Sequence, residues 1–396
     1  MERRSIMLSN SRRKKKTLMK LKKLLIGLSL TTSLFTSANA QSVNSLYQML
    51  NTNEKIFVVE REKSSLAIVE QGMTRGHITG MHNMNHGVVK FDGKDGYVIS
   101  RDGYVIKFDP HSEKIIKELK TSDSAIGFTI SKNFLAVANY AKKSVDILDR
   151  DLNPIQSFET DSKNVGIKTY KDYLIFSQMD NDKITVLKDK NAGKGLPNFE
   201  VYKEFNDVGV MPFDAMIKNN NFITGFFKSD YFGVVDLDTM KYSKIKILLE
   251  DRKPVLKVPH FGFWSISDGN VFIPAVGNNK VLVYTPDFKF VRAIETEGLP
   301  VFTALSPDKK YMAVTFSGKK FPVIQIIDTK TFKIIKRFEF DGKVLHVRWS
   351  NTRPNLYVSV NDANKVAVIN TKEWYLAREM FNINKPSGIF IYEEKK

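Results

Sequence analysis

One pattern returns along this chain about every 40 residues, which is the length of a propeller blade. Each unit has a short apolar strand, a polar turn and then a strongly apolar strand. A gap holding Asn, Asp or Gly follows, then a strand ending in Asp and a last strand of alternating charge. Full units start at Gly87, Ile126, Gly166, Phe213, Phe261, Val301 and Leu345. A unit lacking its first strand begins at Lys55, and a lone first strand begins at Pro386. Joined, these two complete an eighth blade. Alternation has period two throughout, and no segment sustains a helical period. The expected fold is all-β: an eight-bladed β-propeller closed by the C-terminal strand joining the N-terminal blade. Closure removes the unpaired strand edges that an open ring would expose. The stretch Lys190 to Gly209, rich in Gly, Asn and Lys, reads as a loop between blades.

The chain of 396 residues carries 61 Lys+Arg against 43 Asp+Glu, a net charge of +18. Residues 1–40 hold Glu2 as their sole acid against ten basic residues, so half of the excess sits in one tenth of the chain. The remainder is moderately basic. That suits acidic ligands or partners and lacks the dense basic stripe of a nucleic-acid binder, so no nucleic acid is expected. Cysteine is absent. This excludes disulfides, thiolate metal sites, a thiol nucleophile, a lipobox and covalent c-type haem. Lys20, Lys22 and Lys23 precede the apolar stretch Leu24 to Phe35, and Ala38-Asn39-Ala40 is a small-x-small cleavage site. Residues 1–40 are therefore expected to be an export signal, with Met1, Met7 or Met19 as its start. Residues 41–396 would then be the propeller, working in a bacterial periplasm.

A propeller ligand usually sits at a channel mouth, built from equivalent loops of several blades. His86 stands just before the first strand of its blade, and His260, in VPHFGFW, occupies the same repeat position. Two imidazoles at equivalent positions suit ligation or acid–base work, while either alone fits a loop histidine bonded to backbone. Arg101, in Arg101-Asp102-Gly103, can hold a carboxylate bidentately or simply sit on a turn. Asp180 and Asp214 can move protons or cap turns. Asn139-Tyr140, Phe226-Phe227 and Phe316 end second strands and can line the mouth. His346, between Leu345 and Val347, reads as structural. Met73, His77, Met81, His82, Met84 and His86 together admit copper or a Met-rich loop. No GxSxG, P-loop, GxGxxG with a following acid, HExxH or EF-hand loop is present.

Several segments together carry a family resemblance: NHGVVKF with YVISRDGYVIKFD (His86 to Asp109), FLAVANY, MPFDAMI, VPHFGFW, FIPAVGNNKVLV, GLPVF and KPSGIF. On these the chain resembles the NirF family of haem d1 biosynthesis proteins. More distantly it is similar to the d1-haem propeller of cytochrome cd1 nitrite reductase. The resemblance implies an eight-bladed propeller binding haem d1, or its late precursor dihydro-haem d1, at the channel mouth. It places His86 as the axial iron ligand and His260 as a distal active-site histidine. GLPVF falls where the reductase has a second distal histidine, which is missing here.

The missing histidine and the lack of a c-type haem domain argue against nitrite reduction and for a role in making or handling the cofactor. The implied cofactor-binding set is His86, Arg101, Asn139, Tyr140 and Phe226. The implied proton-moving set is His260, Asp214 and Asp180. The implied partners are cd1 nitrite reductase and other haem d1 biosynthesis proteins, in denitrification, with a possible homodimer. Whether a late tetrapyrrole modification or oxidation is catalysed stays open. A non-catalytic haem d1 carrier and a cofactor-free scaffold are the other readings.

Overall fold

The computed structural model describes residues 54–247, 265–266, 269–274, 278–318 and 320–393. Residues 1–40, where an export signal is expected, and His260 lie outside the described residues. Thirty-two strands form eight four-stranded antiparallel sheets, and no helix occurs among the described residues. In chain order, blade 1 begins at Glu54, blade 2 at Val88, blade 3 at Ala125 and blade 4 at Asn164. Blade 5 begins at Pro212, blade 6 at Ser265, blade 7 at Pro300 and blade 8 at Val344. The C-terminal strand Pro386–Glu393 pairs with Glu54–Glu60 and becomes the innermost strand of blade 1, with Phe57 opposite Phe390. The ring therefore closes as the repeat arithmetic expects.

Each middle strand is buried on both faces because each blade is sandwiched between two others. In blade 1, Ile56 and Val58 pack against Val366 and Val368 of blade 8. The alternate residues Phe57 and Val59 pack against Val98, Ile106 and Phe108 of blade 2. Six further clusters repeat this arrangement between successive blades around the ring. Burial on both faces explains why second and third strands read as continuous apolar runs. Outer strands have one wet face and alternate.

The strand Phe199–Phe205 corrects the expectation of an inter-blade loop over Lys190 to Gly209. It is the outer strand of blade 4, paired with Lys183–Asp189. Only Phe199 in FEVYKEF is buried; Val201 and Tyr202 are exposed. Hydrogen bonding to the neighbouring strand, not side-chain burial, makes it a strand.

An up-and-down blade puts two loop types at one end: those joining successive blades and those joining second to third strands. His86, Arg101, Tyr140 and Asp180 all lie in such loops or at their edges, so the topology gathers them at one face. Register shifts in the innermost strands refine the channel wall. One bracketing Phe213 and Asp214 lies between Pro212 and Ala215, and another bracketing Leu345 and His346 lies between Val344 and Val347. Bulges of this kind re-aim side chains.

Blades 8 and 1 are also tied by the buried carboxylate of Glu54. It accepts hydrogen bonds from the Thr352 hydroxyl at 2.8 Å, the Tyr357 hydroxyl at 3.0 Å and the Ser350 hydroxyl. Glu54→Ala strands two buried hydroxyls at the closing seam. It should cost about 2–4 kcal/mol, read as a lower urea midpoint with an unchanged slope.

Candidate functional site

The loop before blade 2 is clipped to the loop that carries Arg101. The Asn83 N–H donates to Asp102 Oδ1 at 3.1 Å, and the Arg101 N–H donates to the Asn83 carbonyl at 2.7 Å. The Ser100 hydroxyl donates to the same Asp102 oxygen at 2.7 Å. Burial pushes the Asp102 carboxyl up, but these hydrogen bonds more than offset it and hold it below the usual carboxylate range. Gly103, at φ 85°, finishes the turn; a Cβ there would lie 2.0 Å from the Ser122 carbonyl oxygen, so only glycine fits.

His86 occupies the third position of a tight turn closed by the Gly87 N–H on the Met84 carbonyl at 3.0 Å. Its φ is 67°, a left-handed conformation costly to any residue with a Cβ and normally given to Gly or Asn. Met81 and Met84 are fully buried beneath it and anchor the segment. His77 pairs with Glu60 at 2.8 Å, and His82 stacks on Tyr104 at 3.6 Å. The Met- and His-rich segment thus spends these side chains on packing and pairing. Among the described residues no three His, Asp or Glu side chains are grouped to hold a metal ion.

Around His86 the face is cationic. Arg61, in the equivalent loop of blade 1, donates to the Asn85 side chain. Burial first, then the guanidinium groups of Arg61 and Arg101, keep the His86 imidazole below its ordinary pKa, with a backbone hydrogen bond at Asn85 pulling the other way. The Arg101 guanidinium lies 5.2 Å from the Tyr140 ring centre, and Lys163 Nζ lies 5.5 Å from the same ring. Lys163 donates to Asp180 from both its backbone N–H, at 2.9 Å, and its Nζ, at 3.0 Å. Burial raises the Asp180 carboxyl, but the Lys163 bonds outweigh it and leave the pKa lowered. One feature is unbalanced: Arg101 Nη1 is buried and has no hydrogen-bond partner among the described residues.

The other expected site residues fall elsewhere. Asn139 is fully buried and bonds Ser144 at 3.0 Å, Asp146 at 2.9 Å and Thr121 at 2.9 Å, all within the blade packing. Phe226 belongs to the apolar cluster between blades 4 and 5, and Phe316 to that between blades 6 and 7. Asp214 is in the channel wall, 3.8 Å from Lys168 Nζ. His346 also lines the channel, stacked on Phe302 at 4.7 Å.

A family description covers almost all of this framework. The model of the cytochrome D1 heme domain matches residues 50–395. This chain belongs to the cytochrome D1 heme domain family. It is 29% identical over 358 residues to Protein NirF of Stutzerimonas stutzeri, covering 84% of this chain and 90% of that protein. It is 28% identical over 360 residues to Protein NirF of Pseudomonas aeruginosa, with the same coverage. Among solved structures, "Dihydro-heme d1 dehydrogenase NirN in complex with DHE" superposes with a TM-score of 0.72 at 21% identity. That match covers 86% of this chain and 75% of the other.

Sequence reasoning within this family member missed Arg61, Lys163, Lys90, Lys168 and Arg348. Arg61 had a usable signal, since it follows a second strand as Arg101 does. Lys90, Lys168 and Arg348 sit inside short first strands, where a basic residue reads as solvent-facing. In the structure those strands wall the channel. Lys90 Nζ donates to the Phe128 carbonyl at 2.6 Å, and burial, with Lys168 adding repulsion, pushes its pKa down to about 7. The unfolded chain then binds more protons than the folded one between pH 7 and the ordinary lysine value near 10.5. The destabilisation is full below pH 7 and fades as pH rises through that window. Lys90→Met should therefore raise Tm relative to the parent more at pH 6 than at pH 10, measured by scanning calorimetry.

Proposed function

We propose that this chain binds haem d1, or its late precursor dihydro-haem d1, at the face carrying His86 and Arg101. There it takes part in a late maturation step that supplies cd1 nitrite reductase. The observation that carries this reading is the buried Arg101 Nη1, unpartnered among the described residues. A buried guanidinium N–H without an acceptor costs about 1–3 kcal/mol, which a ligand carboxylate would offset. Arg61 and Lys163 extend the same positive arc on either side, and the tetrapyrrole carries several carboxylates. His86, kept neutral by burial and by its cationic neighbours, offers an imidazole lone pair to iron. The iron, when bound, supplies redox and Lewis-acid chemistry; the protein binds, orients and shields the macrocycle.

Within this reading Tyr140 buttresses Arg101 and Lys163, while Asn139 and Phe226 stiffen the blades behind them. Asp180 stays ionised on Lys163 near neutral pH, so it positions that lysine rather than donating a proton. Its engagement favours binding and delivery over acid–base work at this corner. Asp214 and His260 remain the groups proposed to move protons. Export to the periplasm, on the signal in residues 1–40, and a homodimer that hands cofactor to the reductase are parts of the same proposal.

The test is a visible-absorption titration of the purified protein with haem d1, beside haem b. It uses the parent, His86→Gly and Arg101→Gln. Glycine relieves the left-handed strain at position 86, so His86→Gly should fold as well as the parent or gain up to about 1 kcal/mol. Its haem d1 spectrum should change. Arg101→Gln should weaken binding about tenfold or more. Equal affinity for both haems, unmoved by either substitution, would leave only the cofactor-free scaffold.

A further inference from the structure

A cavity lies away from the His86 face. It is a chamber of about 720 Å³ within the axial channel, walled by innermost strands of blades 1, 2, 3, 6, 7 and 8. Its lining mixes apolar side chains, Phe91, Phe302, Trp349 and Phe390 among them, with a larger share of polar surface. Two cations stand in this wall, Lys90 from blade 2 and Arg348 from blade 8.

Neither cation meets a carboxylate among the described residues. Lys90 has the Phe128 carbonyl at 2.6 Å and the Phe128 ring at 4.8 Å. Arg348 donates Nε to the Ile389 carbonyl at 3.0 Å and lies 5.9 Å from the Phe390 ring. The nearest carboxylate known to act on Lys90 is Asp214, which is already shared with Lys168. The chamber is thus bordered by more positive than negative charge. The buried lysines of this protein do meet carboxylates: Lys107 pairs with Asp151 and Asp95, and Lys365 with Asp341 and Glu379. Lys90 is half-buried and Arg348 exposed, so both can present their charge to the cavity they line, and a wall with two cations and no facing carboxylate among the described residues suits a ligand of the opposite sign.

We propose that the axial chamber is a second binding site, for an oxyanion of the carboxylate or phosphate class, held by the Lys90 ammonium and the Arg348 guanidinium. The arginine supplies a planar pair of donors and the lysine a compact charge. This site stands apart from the tetrapyrrole reading, because it needs none of His86, Arg61 or Arg101.

The experiment is thermal unfolding of the purified protein titrated with inorganic phosphate and, separately, with citrate, against sodium chloride at matched ionic strength. A saturable rise in Tm is expected with at least one of the two and not with chloride. Lys90→Met and Arg348→Met should each raise the half-saturating concentration about tenfold or more, since each removes a charged hydrogen bond. Should a methionine variant fail to fold, Arg348→Lys keeps the charge and loses the fork. It should bind several-fold more weakly while unfolding cooperatively. The proposal is overturned by shifts that track ionic strength alone, or by shifts equal in parent and variants.

Repeating the titration with haem d1 bound identifies the source of the oxyanion. A persisting phosphate or citrate shift means a free small anion. A shift abolished by haem d1, together with weaker haem d1 binding in Lys90→Met, means a carboxylate arm of the macrocycle. If haem d1 does not bind at all, the tetrapyrrole reading fails while the anion titration of the parent still decides this site.

Discussion

Every other feature of this protein rests on one pairing, that of the C-terminal strand with the first described strand. Phe57 opposite Phe390 and Ile56 opposite Ile391 bring residues more than three hundred positions apart into one sheet. Without it, blade 1 has no inner strand, and the packing of blade 1 against blades 8 and 2 loses its scaffold. The Glu54 carboxylate on Ser350, Thr352 and Tyr357 reinforces the seam with charge-assisted hydrogen bonds. Because each blade is clamped by two others, the loops at one face are held by a closed ring and not by their own contacts.

That ring lets polar groups sit in arrangements a loop could not sustain alone. His86 persists at positive φ because Met81 and Met84 are locked below it and Asn83 is bonded to the Arg101 loop. Arg101, Tyr140, Lys163 and Asp180 come from three blades, yet form one chain of contacts. The electrostatic theme is positive charge held short of compensation: at the rim through Arg61 and Arg101, and within the channel through Lys90 and Arg348. Membership of the cytochrome D1 heme domain family and the similarity to two NirF proteins agree with tetrapyrrole binding.

The legible part of the site was the part tied to turn chemistry. Arg101-Asp102-Gly103 declared a turn, and the structure uses all three residues: the cation, the clip to Asn83 and the glycine that clears Ser122. His86 was legible through its place before a blade. Asn139 and Phe226 were misleading, because ending a second strand puts a residue near the loop face without saying which way it turns. Both turn into the blade packing. For His346 the sequence did not say which surface it faces. Its apolar neighbours suggested a structural role, and the bulge beside it places the ring on the channel wall, stacked on Phe302.

The sequence by itself determined the number of blades, their order and the need for the two ends to meet. Those follow from a forty-residue period and from alternation, which are local properties of the chain. It also determined the absence of thiol chemistry. Only the tertiary structure decided which charges are paired. Lys107 finds Asp151 and Lys365 finds Asp341, while among the described residues Lys90 and Arg348 donate to backbone carbonyls and lie over aromatic rings. Pairing depends on distances of a few ångströms between strands of different blades. Register and ring closure set those distances, and neither is written in the neighbourhood of any one lysine.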